Sequence, residues 1–178
     1  MKRHFTVLSC ITILLGNGSS SRAQTETPKP APELRKLDYF AGTWTAEGEI
    51  RPGPMGAGGK FTGTNRVRWM EGGFFLVTQS EFDGPMGKGA ETAYMGYDGN
   101  DKKYTYDSFN TLGQADHAKG TLDGDTWTWL SETRMGAQTM KGRLTIKMVS
   151  AGAYDFKYEM SPDGMRWSTV LEGKDTKK

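Results

Sequence analysis

Few side chains in this chain can do chemistry. Cys10 is its only cysteine, and His117 is its only histidine beyond His4. A Ser-His-Asp triad would have to use His117, and Asp116 beside it points to the opposite face of any strand that carries both. The sequence contains no Gly-x-Ser-x-Gly, no His-Glu-x-x-His and no P-loop. Glu81, Asp107 and Glu132 could face inward as a lone acid–base pair, but the alternation there does not fix their parity. The residues therefore point to a binding protein rather than an enzyme, with no catalytic residue assigned and no cofactor required.

Two recurring patterns suggest binding. Met55, Met86, Met135 and Met165 each sit beside glycine, and Gly-Pro-Met-Gly occurs at both 53–56 and 84–87. Thioethers are polarisable and adaptable, which suits an opening that admits varied apolar molecules. With His117 they could instead capture a soft metal such as Cu(I), or they could simply fold over and fill a barrel end. The second pattern is aromatic. Trp44, Trp69, Phe75, Tyr94, Tyr106, Trp129, Tyr158 and Trp167 fall mostly at alternate strand positions. That parity fits a packed core, or the wall of a cavity with hydroxyl and indole donors on an apolar surface. Asn65, Gln79, Ser108 and Ser131 share the inward parity and would leave such a cavity partly hydrated.

These side chains must be positioned by strands. After the stretch Phe40-Ala41-Gly42-Thr43-Trp44, turn residues separate apolar and alternating runs at 43–50, 60–70, 74–82, 90–96, 102–109, 115–122, 126–134, 138–149, 154–160 and 165–173. Asp123-Gly124 is a tight hairpin signal. Tyr154, Phe156, Tyr158 and Met160 alternate with Asp155, Lys157 and Glu159, as expected of an antiparallel sheet with one wet face. About ten strands with short connections remove their edges by closing, and a barrel of that width exceeds what side chains can fill. The expected fold is therefore an all-β, about ten-stranded antiparallel up-and-down β-barrel. A two-sheet sandwich is the alternative. A short N-terminal helix at 32–40, opened by Pro32 and carrying Leu34, Leu37 and Phe40, would cap one end, with Leu37 and Trp44 as plugs. Connections then alternate between ends. The four methionine loops and the start of the strand bearing His117 fall opposite the helix, so Met55, Met86, His117, Met135 and Met165 would border the mouth.

The first residues read as an address. Lys2 and Arg3 precede the apolar run from Phe5 to Leu15, which is too short to span a bilayer, and Ser21-Arg22-Ala23 supplies small residues for cleavage. The expected organisation is a signal peptide at 1–23, a proline-containing tether at 24–31, the barrel at 32–174 and a charged tail at 175–178. The chain would be exported, periplasmic or secreted, with no transmembrane span after cleavage. Removing Lys2, Arg3 and Arg22 takes the basic count from 23 to 20 against 21 acids, so the basic character does not survive and no nucleic-acid partner is expected.

Gly42-Thr43-Trp44 after a short helix resembles the opening of the calycins, which include lipocalins and fatty-acid-binding proteins. Glu33 to Leu37, Glu71-Gly72-Gly73-Phe74-Phe75-Leu76, Gly96-Tyr97-Asp98 and Tyr104 to Asn110 resemble more closely an exported bacterial family known as a domain of unknown function with a lipocalin-like fold. The resemblance implies a lipocalin-like barrel and transfers no catalytic residue. Nitrobindin, a haem-binding barrel, has a similar Gly-x-Trp start, but its haem-ligating histidine near the C-terminus has no counterpart after His117. The leading expectation is binding of a small apolar or amphipathic molecule in the barrel cavity. The alternatives are haem or soft-metal binding through His117 and the mouth methionines, or an envelope interaction module without a cavity ligand.

Overall fold

The computed structural model describes residues 28–53 and 56–178. Met55 and the expected signal peptide lie outside the described residues, as does the first half of the expected tether. A 3₁₀ helix at Pro32–Phe40 leads into ten strands: β1 (Gly42–Ile50), β2 (Gly59–Trp69), β3 (Leu76–Gly84), β4 (Gly87–Asp98), β5 (Lys103–Asn110), β6 (Ala115–Asp123), β7 (Thr126–Met135), β8 (Gln138–Ser150), β9 (Ala153–Ser161) and β10 (Ser168–Lys177). Each strand pairs antiparallel with its sequence neighbours, and β10 closes on β1 to complete the barrel. The up-and-down barrel expected from the turn spacing is the fold.

The helix is 3₁₀ because its apolar residues demand it. Leu34, Leu37 and Phe40 recur every third residue, which a three-residue turn stacks on one face, and all three are buried. Polar contacts then seat the helix on the barrel end. The Tyr39 hydroxyl lies 2.9 and 2.8 Å from the carbonyl oxygens of Ser150 and Ala153. The Tyr104 hydroxyl donates to the Glu33 carbonyl at 3.1 Å, and the Trp69 indole N–H to Asp38 Oδ1 at 2.8 Å. Trp44 donates its indole N–H to the Phe40 carbonyl at 2.7 Å. Beneath the plug, the Trp44 and Tyr154 rings lie 4.9 Å apart, and Trp127 stacks on Trp129 at 5.8 Å.

The C-terminal residues differ from the expected tail. β10 runs through Lys177, pairing Trp44 with Lys177 and Ala46 with Asp175. Without these residues β1 would present a row of unpaired backbone groups, so the charged stretch is spent closing the barrel. β10 also begins later than expected. Asp163 Oδ1 accepts from the N–H groups of Met165 and Arg166 at 2.8 and 3.1 Å, holding those residues in a turn. No helix among the described residues is long and apolar enough to cross a membrane.

Candidate functional site

Between the plug and the loops at the opposite end lies a cavity of about 400 Å³. Its floor is Trp44, Phe40 and Tyr154. Phe61, Phe156, Leu144, Ile146 and Trp129 form much of the wall, and Met86, Leu112 and Gln114 mark the mouth. Strand parity puts these residues there: even positions of β1, odd positions of β2 and even positions of β9 all face inward. The space exists partly because small residues occupy inward positions. Ala46 and Gly63 line it directly. Gly120 lets the Trp129 ring lie against β6, since a Cβ there would fall 2.5 Å from that ring.

Besides Glu81, the wall carries two carboxyl groups, Glu91 half-buried and Asp175 buried. Glu91 on β4 accepts a hydrogen bond from the Tyr106 hydroxyl at 2.9 Å. Burial pushes its carboxyl above the ordinary glutamate range, only partly offset by hydrogen bonds from Tyr106 and Ser108, and Asp116 adds repulsion. Asp175 on β10 is 3% exposed and accepts from Asn65 Nδ2 at 3.0 Å. Burial raises its carboxyl too, against hydrogen bonds from Tyr154 and Asn65. The phenols respond in kind: burial, then the neighbouring carboxylates, hold Tyr106 and Tyr154 well above the ordinary tyrosine range. Tyr106 and Tyr154 line the same cavity. Thr78 lines the cavity, and its buried hydroxyl has no hydrogen-bond partner among the described residues.

Of the residues proposed as the wall, Trp44, Tyr106, Trp129 and Tyr158 line the cavity. Trp69 points inward but belongs to the plug through Asp38. Phe75 and Tyr94 lie on the outer surface, 45% and 37% exposed. Trp167 precedes β10 and packs outside, with the Arg143 guanidinium 4.2 Å above its ring. At the mouth, Met86 is in place, while Met135 and Met165 are exposed away from the cavity, Met165 at 80%. His117 is also outside, because Asp116 and Ala118 take the inward positions of β6; its Nδ1 lies 2.6 Å from Asp107 Oδ1 on the outer face. Glu81 borders the cavity but pairs with Arg66 at 3.1 Å, and among the inward polar positions Gln79 turns out to be exposed. Among the described residues, no group of three or more His, Cys, Asp or Glu side chains could hold a metal ion.

Glu91 and Asp175 were not among the residues singled out from the sequence. Glu91 shares its parity with Ala93 and Met95, which was a usable signal. Asp175 was hidden by the charged residues around it.

The fold is shared with a solved structure. Rv2717c from M. tuberculosis superposes with a TM-score of 0.58 at 13% identity, covering 84% of this chain and 99% of that one. EF1p2_mFAP2b bound to DFHBI aligns at a TM-score of 0.43 and 14% identity, over 82% of this chain and 98% of that one. The S-type phycobiliprotein lyase CPES from Guillardia theta aligns at 0.49 and 8% identity, over 81% and 91%. No curated protein matches the chain significantly in sequence. The model of the family described as "Protein of unknown function (DUF1579)" matches residues 29–177, and the chain belongs to that family.

Proposed function

We propose that this protein binds a small, mostly apolar or amphipathic molecule inside the barrel. One observation carries the reading: a cavity of about 400 Å³ walled by aromatic and aliphatic side chains with a few convergent polar groups. Binding pockets for small molecules are typically ~300–1,000 Å³ and built in this way. The plug seals one end with hydrogen bonds, while Met86 and Leu112, both about two-fifths exposed, border the other. Such a site serves capture or carriage. The same proposal places the chain outside the cytoplasm, supported by the basic, apolar and small-residue segments of 1–23.

The test is titration with the neutral fluorophore N-phenyl-1-naphthylamine, whose emission rises in apolar surroundings. Saturable binding at one site is expected. Ala46 lines the cavity and is 7% exposed. Ala46→Phe should fill the space and weaken binding by at least about tenfold, with the circular dichroism spectrum unchanged. Absent binding, or equal binding by a folded Ala46→Phe variant, would overturn the proposal. Native mass spectrometry of protein taken from its own host would then give the mass of the resident molecule.

A further inference from the structure

Resting on that reading, we infer that the ligand is a cation: a small amphipathic amine whose protonated nitrogen sits in the field of Glu91 and Asp175 while its apolar body packs on the aromatic wall. Among the described residues, Glu91 and Asp175 have no basic counterpart in the cavity lining. No described lysine, arginine or histidine lines the cavity. Nearby cations are already engaged: Arg66 pairs with Glu81, the other carboxyl of the lining, and Lys177 lies over the Trp44 ring at 5.1 Å, outside the lining.

The partners of the two carboxyls are all neutral. Glu91 receives the Tyr106 and Ser108 hydroxyls, and Asp175 receives the Tyr154 hydroxyl and the Asn65 amide. Buried carboxylates are ordinarily matched by a cation, because neutral donors only partly replace lost hydration. Here no cation among the described residues pairs with either carboxyl, and both residues line the cavity. A cleft walled by one sign of charge in low-dielectric surroundings focuses its field and concentrates the opposite sign. Burial holds both carboxyls partly toward their neutral forms, and an ammonium group would draw them back to carboxylate. The tyrosine and tryptophan faces on the wall add cation–π attraction. A fatty acid would meet the reverse: like charge, with no basic group to hold its head.

The inference is tested with three probes that share a tail: decylamine, decanol and decanoate, titrated at pH 7 below their aggregation limits and read by tryptophan fluorescence and calorimetry. Decylamine should bind about tenfold or more tighter than decanol, and decanoate weaker than decanol. In Glu91→Gln/Asp175→Asn the amine should lose its advantage while decanol affinity persists, which also reports an intact cavity. If decanol binds and decylamine binds no better, or if the double variant keeps the amine preference, the inference fails and the binding reading stands. If none of the three binds, the binding reading fails and takes the inference with it.

Discussion

Trp44 and Trp127 give a paired test of how the plugged end is held. Both are completely buried on the closed side of the barrel. They differ at one atom. Trp44 Nε1 donates to the Phe40 carbonyl at 2.7 Å, whereas Trp127 Nε1 has no hydrogen-bond partner among the described residues. Replacing either with phenylalanine removes the same atoms, so the packing loss is similar in kind. The polar consequences are opposite. Trp44→Phe strands a carbonyl at the helix terminus, which adds about 1–3 kcal/mol to the packing loss. Trp127→Phe deletes a donor already stripped of water without a partner, which returns about 1–3 kcal/mol against it. Trp44→Phe should therefore be the less stable variant by at least about 2 kcal/mol. Urea unfolding followed by far-ultraviolet circular dichroism measures this without depending on the altered indoles. With a slope of ~1–3 kcal/mol/M the midpoints should separate by roughly 1 M. Coincident midpoints, or a Trp127→Phe variant less stable than Trp44→Phe, would refute the reasoning.

Two further predictions concern pH. Because Asp175 holds its proton more tightly folded than unfolded, stability associated with it falls as pH rises from the ordinary aspartate range through the raised folded value. Asp175→Asn removes that fall, so its urea midpoint relative to the parent should improve between pH 4 and pH 7; a relative loss over that interval would show that the bonds from Tyr154 and Asn65 outweigh burial. Glu159 on β9 behaves oppositely. Burial alone would raise its carboxyl, but Lys157 at 3.1 Å and Arg143 at 2.8 and 3.0 Å together hold it below the ordinary range. Its contribution is present above the unfolded glutamate value and lost as pH falls through the folded one. Glu159→Gln should thus destabilise most near neutrality and least in acid, and a cost that does not shrink in acid would contradict the ion-pair account.

The pattern of which residues were legible in the sequence follows from what a hollow barrel asks of its wall. Turn chemistry and alternation were enough for ten strands and for the plug, because a two-residue period with one wet face leaves little ambiguity in β8 and β9. Phase failed in β3. Phe74 and Phe75 just before it run into Leu76 and Val77 as four consecutive apolar residues, and both Leu76 and Val77 are buried, so neither parity stands out. A one-residue error in phase sends every side chain to the other face, which is how Phe75 and Gln79 came to be expected inside. In β4 the error was one of size. Tyr94 looks like the residue to bury, yet Ala93 is fully buried beside it and Tyr94 is outside. A barrel of this width leaves space at its centre, and Ala46 and Gly63 enlarge it where large inward side chains would narrow it. Size is thus a poor guide to the inner face wherever a barrel keeps space for something else. The same logic explains why the carboxyls escaped notice. Glu91 and Asp175 look like solvent-facing residues by type, and only the register of their strands turns them toward the cavity, where their unmatched charge becomes the most specific feature of the site.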